Sequence, residues 1–110
     1  MRRFWLAALF GILPAVALAA TLSPSAIAAN ASSYDGKTVT VTGTVKSFQT
    51  SSTMMGTVAG FQLCDTKCIV VIDQKNQARS NGASATVTGT FHVTFKGPRK
   101  TFNNAVVIGK

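Results

Sequence analysis

Hydrophobic and polar residues alternate along two segments of this chain, and both contain the pentapeptide Thr-Val-Thr-Gly-Thr, at Thr40–Thr44 and at Thr86–Thr90. Because strand side chains point to opposite faces in turn, the valines of each segment share one face with a glycine, Gly43 in the first and Gly89 in the second. A glycine inside a strand usually marks a bulge, a sharp bend or a close approach of two backbones. We therefore expect two curved strands whose glycine-bearing faces point into a core.

Glycine, proline and asparagine residues separate the alternating segments and set the limits of the strands. The pattern predicts an all-β fold of five strands, over Lys37–Gln49, Phe61–Cys64, Cys68–Ile72, Ala85–Phe95 and Thr101–Ile108. A polar loop is expected over Thr50–Ala59, and at most one short helix over Gln74–Ser80, between the third and fourth strands. Five such strands form either a small closed barrel or an open sandwich of two sheets.

Three runs of the chain, Gly36–Val45, Gly60–Asp65 and Gly82–Phe91, resemble blocks of small bacterial oligonucleotide/oligosaccharide-binding (OB) proteins. The resemblance is to the transfer-RNA anticodon-binding-like group and to the exported bacterial OB-fold group, and it covers Tyr34 to Lys110. It implies a five-stranded OB-fold barrel. In that fold the ligand lies on the outer face of strands two and three, between the loops that join strands one to two and four to five.

The first 28 residues have the three parts of a secretory signal peptide: basic Met1-Arg2-Arg3, an apolar run over Phe4–Ala20 and an exit of small residues. Cleavage sites of the small-x-small form end at Ala19 and at Ala28, and the pattern slightly favours the second. We therefore expect a signal peptide over 1–28 and an OB-fold domain over 29–110, periplasmic or secreted, with no membrane span once the signal is removed. The alternative is an uncleaved membrane anchor, although the apolar run falls short of the roughly 20 residues that span a bilayer.

The exported part is basic, with nine Lys and Arg residues against three Asp, a net charge of +6. Such an excess favours phosphate backbones, acidic glycans or anionic lipid as partners. About 80 residues are enough for one domain with one modest core. We expect this domain to be a monomer. The sequence contains no phosphate-binding glycine loop, metal-ligand cluster or acid–base pair, and the single histidine, His92, has no nucleophile pattern around it. We therefore expect no enzyme activity, cofactor or metal.

Two cysteines, Cys64 and Cys68, flank the tripeptide Asp65-Thr66-Lys67. If that tripeptide is a hairpin loop, the cysteines are direct neighbours across two strands, where a disulfide can form in an oxidising compartment. Paired free thiols and a metal or redox role remain alternatives.

Candidate ligand-binding residues follow from the same strand register. The outer face of the second and third strands carries Gln62, Val70 and Ile72, which are aliphatic or amide side chains rather than the stacking rings of single-strand binders. The aromatic candidates are the rings at positions where strands meet loops. The cationic candidates cluster in Lys96–Lys100, and the alternative interpretation of that segment is a solvated hairpin tip. The set is completed by Lys46, Phe48, Lys96, Arg99, Lys100 and Phe102.

Two functions fit these residues. The first is a non-catalytic exported OB-fold binding protein for an anionic ligand such as single-stranded nucleic acid or another polyanion. The second is a periplasmic envelope or stress protein that binds a protein partner or a small ligand through the aliphatic face.

Overall fold

Five strands and two short helices make up the part of the chain that the computed structural model describes, residues 21–54, 56–97 and 100–109. The elements are α1 (Pro24–Ala29), α2 (Ala31–Tyr34), β1 (Thr38–Thr53), β2 (Gly56–Cys64), β3 (Cys68–Asp73), β4 (Ser84–Lys96) and β5 (Thr101–Ile108). The strands form one sheet that closes in a ring in the order β1-β2-β3-β5-β4. Among these five described strands, β3 and β5 are the pair that runs parallel. The all-β class and the five strands are confirmed, and the two-sheet sandwich is wrong.

The hydrophobic core lies inside this ring and is built from alternate residues of every strand. Val41, Val45 and Phe91 are fully buried, as the period-two pattern predicts. The buried core side chains are Ile27, Val39, Val41, Val45, Phe61, Leu63, Ile69, Val71, Ala85, Val87, Phe91, Val106 and Ile108. One of them, Ile27, belongs to α1 and was not expected in the core.

Both pentapeptide glycines lie where two backbones come close together. A Cβ atom on Gly89 would lie 2.5 Å from the carbonyl oxygen of Val107 on β5. A Cβ atom on Gly43 would lie 2.9 Å from the carbonyl oxygen of Cys64 on β2 and 3.0 Å from the ring of Pro24. No larger residue fits at either position without moving a neighbour, so the prediction of close approach is confirmed.

A bulge bends β1 just beyond the point where its pairing with β4 ends, within the part that pairs with β2. The first part of β1 pairs with β4, from Thr38 opposite Thr90 to Thr44 opposite Ser84. The second part pairs with β2, and the register shifts by one residue between Lys46 and Gln49, where Ser47 has φ of 56°. The extra residue increases the local bend, which lets one long strand belong to both sides of the ring.

The polar segment predicted as a loop over Thr50–Ala59 is instead an extension of the β1–β2 hairpin. Its cross-strand pairs run from Gln49 opposite Gly60 to Thr53 opposite Gly56. We call the paired residues 49–53 and 56–60 the ribbon. Its Ser and Thr residues lack the hydrophobic alternation of a half-buried strand, and their strand structure comes from pairing with each other.

The helix predicted over Gln74–Ser80 is also wrong, because a side chain-stabilised turn occupies the start of this segment. The fully buried carboxylate of Asp73 accepts hydrogen bonds from the backbone N–H groups of Lys75, at 2.9 Å, and Gln77, at 3.2 Å. Asn76 adopts a φ of 55°, which a right-handed helix does not allow. The two helices that do form precede β1, and α1 spans the predicted boundary between residues 28 and 29.

Candidate ligand-binding groove

A groove of about 760 Å³ lies on the outer face of β2 and β3, between the ribbon and the β4–β5 hairpin. Its volume is in the range of small-molecule sites. Among the described residues its lining consists of Ser47, Gln49, Ser51, Ser52, Met54, Val58, Ala59, Gly60, Phe61, Gln62, Val70, Ile72, Gln74, Phe95, Gly97, Lys100 and Phe102. Lys100 is the one charged residue in this set, so the groove suits a ligand that is apolar, neutral or negative.

The floor of the groove follows from the register of the β2–β3 hairpin. Val70 lies opposite Gln62, and Ile72 lies opposite Gly60. The two aliphatic side chains are half-buried and Gln62 is exposed, because these residues alternate with the buried Phe61 and Val71. All three residues predicted for the outer face therefore line the groove.

One wall of the groove is aromatic and comes from β4 and β5. Phe95 and Phe102 are direct cross-strand partners, and both are half-buried. The ammonium nitrogen of Lys100 lies 5.1 Å from the centre of the Phe102 ring, within range of a cation–π interaction. Gly97 lets this ring approach the turn, because a Cβ there would lie 3.2 Å from the ring atom Cε2.

The opposite wall is the ribbon, whose groove-lining side chains are mostly hydroxyls and amides. Ser51, Ser52 and Gln49 are exposed beside the floor. Met54, at the tip, is 103% exposed. An unbranched thioether adapts to different apolar surfaces, so this tip offers a movable apolar contact above the groove.

Several residues predicted for the site lie elsewhere. Lys46 lies opposite Gln62 on β1 and is exposed, but it is not among the groove-lining residues. Lys96 is exposed and pairs with Thr101 at the base of the β4–β5 turn, outside the lining. Arg99 lies outside the described residues.

Phe48 packs on the core side of β1 rather than in the groove. Its ring centroid is 6.1 Å from that of Phe61, and its backbone N–H donates to Oδ1 of Asn81 at 2.9 Å. The guanidinium of Arg79 lies 5.6 Å from the centre of the same Phe61 ring. The segment between β3 and β4 thus covers Phe61 without a helix.

The alternation pattern predicts a core position for Phe95, but Phe95 lines the groove. It has the same parity as the buried Phe91, but it lies near the end of β4, where its face opens into the groove. In the sequence, the position of Phe95 next to the Lys96–Lys100 turn is the feature that points to this. His92 is half-buried with its ring centroid 5.6 Å from that of Phe95, and it is not a lining residue.

The end of the ring opposite the ribbon carries the two cysteines and an ordered carboxylate. Cys64 and Cys68 are cross-strand partners with their Sγ atoms 2.04 Å apart, so the predicted disulfide pairing is confirmed at bonding distance. Between them, the side-chain hydroxyl of Ser25 and the backbone N–H of Lys67 donate to the carboxylate of Asp65 and hold its pKa below the ordinary value.

Comparison with protein-family models, with curated proteins and with solved structures found no match for this chain. None of the helices in the described part of the chain has the length and hydropathy needed to cross a membrane.

Proposed function

We propose that this chain is a non-catalytic, exported binding protein with an OB fold, whose groove takes an elongated anionic ligand, with single-stranded nucleic acid as the first class to test. The ring order β1-β2-β3-β5-β4 and the first strand shared between β4 and β2 support the OB assignment. The disulfide-distance cysteines are compatible with an exported protein.

The main support for an anionic, aromatic ligand is the aromatic wall, which has a cation beside it and no acidic residue in the described lining. Phe95 and Phe102 offer ring faces, Lys100 offers a positive charge, and the described lining contains no Asp or Glu. Bases stack on aromatic rings at about 1–3 kcal/mol each, while Lys and Arg neutralise the backbone phosphates. Lys96 and Arg99 are neighbours of Lys100 in the sequence and add to the positive charge of this segment.

Fluorescence anisotropy with labelled oligo-dT and oligo-U, measured between about 20 and 200 mM salt, tests this proposal. The three cations of the segment Lys96–Lys100 predict a log–log salt slope near −2, since each neutralised phosphate of a single strand contributes about −0.7. Lys100→Ala should weaken binding and reduce the slope by about 0.7. Lys37→Ala, which removes an exposed lysine outside the groove, is the matched control. Absence of binding at low salt contradicts the proposal.

The aliphatic floor favours a second function, the binding of a protein segment or a small apolar ligand. Val58, Val70 and Ile72 line one side of a groove large enough for a drug-sized molecule. Val70→Lys would place an ammonium among these side chains and should abolish binding of an apolar fluorescent probe. The same variant should retain or strengthen oligonucleotide binding, so the two functions respond to it in opposite directions.

A further inference from the structure

The segment before α1 is bound to the sheet through its backbone. The N–H of Leu22 donates to the carbonyl of Thr40 at 2.8 Å, and the N–H of Thr42 donates to the carbonyl of Leu22 at 3.0 Å. These bonds form a parallel bridge between Leu22 and Val41. They lie in the part of β1 that precedes its pairing with β2, which begins at Thr44. Leu22 thus satisfies backbone groups of β1 where β2 does not reach.

Side chains of α1 complete the core on the same side. Ile27 is fully buried within the main hydrophobic cluster, and Pro24 is buried beside it. The Pro24 ring would lie 3.0 Å from a Cβ on Gly43. The absence of a side chain at Gly43 therefore makes room for α1 as well as for β2.

Polar contacts fix the start of α1 on the cysteine hairpin. The backbone N–H of Ser25 donates to Oδ1 of Asp65 at 3.0 Å, and its hydroxyl donates to Oδ2 at 2.7 Å. Ser23 caps the helix by accepting from the N–H of Ala26. A helix of six residues does not persist by itself in water, so these contacts hold it.

Resting on the export proposed above, we propose that the signal peptide is removed after Ala19, not after Ala28, and that the mature protein keeps residues 21–28 as part of its fold. A leader peptidase would hydrolyse the Ala19–Ala20 bond, with the hydroxyl of water added to the Ala19 carbonyl carbon and the hydrogen to the Ala20 nitrogen. Ala17 and Ala19 supply the small side chains that such enzymes require. Hydrolysis after Ala28 would instead divide α1 and remove Leu22, Ser25 and Ile27 from the domain.

Intact-mass measurement and N-terminal sequencing of the protein exported from the full-length precursor test this assignment. The expected product begins at Ala20. Ala19→Gln should cause precursor to accumulate, whereas the matched variant Ala28→Gln should be processed normally. A product that begins at Ala29, a product that retains Met1, or a processing block in Ala28→Gln alone would each overturn the proposal.

The stability of the processed protein gives a second, independent readout. If residues 20–28 are retained, Ile27→Ala leaves a cavity in the core and should lower the Tm of the mature protein by about 10 °C or more. Ile27→Val should lower it by a smaller amount and keeps the test readable if Ile27→Ala does not accumulate. Ala29→Ser, at the exposed end of α1, is the control and should have little effect. If the mature protein starts at Ala29, both Ile27 variants would yield wild-type product with an unchanged Tm.

Discussion

The two ends of the β2–β3 hairpin differ in how the chain covers them. At the end formed by Cys64, Cys68 and α1, Ile27 and Pro24 are buried and Asp65 accepts three hydrogen bonds from Ser25 and Lys67. At the other end, the ribbon and the β4–β5 hairpin stand on either side of an open groove, and Met54 is fully exposed. We call the first the closed end and the second the groove end.

Because of this difference, the residues that stabilise the domain and the residues that could bind a ligand lie at opposite ends of it. Buried apolar area and satisfied polar groups stabilise the closed end, and substitutions there should act on the free energy of unfolding. Exposed side chains around the groove contribute little to folding and remain free to contact a ligand. Substitutions at the groove end should therefore change affinity with a small change in stability.

The largest expected effect on stability comes from a glycine at the closed end, and a glycine at the groove end provides the comparison. Gly43→Ala puts a Cβ within 3.0 Å of Cys64, Leu63 and Pro24, so we expect the free energy of unfolding to fall by about 3 kcal/mol. Gly60→Ala at the groove end meets its nearest atom, the carbonyl oxygen of Val71, at 3.9 Å, which is ordinary contact. That variant should change stability by less than about 1 kcal/mol. Urea unfolding of both proteins measures the difference, and equal losses would contradict it.

A smaller effect is expected from removing the disulfide at the closed end. The cysteines are four residues apart in sequence, and closing so short a loop is worth about 2 kcal/mol in the chain-entropy estimate. The double substitution Cys64→Ser and Cys68→Ser should lower the free energy of unfolding by about that amount. Oligonucleotide affinity at the groove end should be unchanged. A loss of affinity in a fully folded double variant would show that the two ends are coupled.

A matched pair of phenylalanines tests the same separation from the groove end. Phe102→Leu removes a ring face from the groove, so affinity for oligo-dT should fall about tenfold while stability changes by less than about 1 kcal/mol. Phe91→Leu changes a fully buried ring and should lower stability by about 1–2 kcal/mol with affinity unchanged. Anisotropy titrations and urea unfolding on both variants provide the comparison. The reverse assignment of effects would place the ligand elsewhere.

Local periodicity predicted the parts of the fold that depend on one strand at a time. The inward positions of Val41, Val45 and Phe91 follow from alternation alone, and the Phe61–Val71 and Leu63–Ile69 pairs follow from a three-residue turn. The ribbon was missed because its Ser and Thr residues carry no hydrophobic pattern. The turn at Asp73 was missed because a cap and an Asx-turn use the same residue type.

The site was harder to predict because it depends on where the strands end. Gln62, Val70 and Ile72 line the groove as the outer-face register predicts, and Lys100 and Phe102 line it beside the β4–β5 turn. Phe95 faces the groove because β4 extends beyond the core that the ring encloses. The alternation pattern does not show where a strand leaves the core. α1 was missed since its small residues are also typical of the end of a signal peptide.

The smallest expected effect concerns the pH dependence of the closed end. The hydrogen bond from the Ser25 hydroxyl is the main cause of the lowered Asp65 pKa, from an ordinary value of 3.8. A carboxyl whose pKa is lowered in the folded state stabilises the fold above its unfolded pKa, and this contribution is lost as pH falls through the folded pKa. Stability should therefore decline as pH is lowered from about 5 to below 3.8, in part through Asp65.

Ser25→Ala isolates this contribution, since it removes the hydroxyl and leaves the carboxylate. The variant should be less stable than wild type near pH 6, and the difference should shrink as the pH falls below 3.8, through the lowered pKa of the folded state. Thr40→Ala is the control. It removes one hydroxyl of the Thr40–Thr88 hydrogen bond, 2.9 Å long, between β1 and β4, and neither partner titrates, so any loss of stability should be nearly constant with pH. Urea unfolding of the three proteins at several pH values measures these differences, and parallel curves for both variants would show that Asp65 does not depend on Ser25.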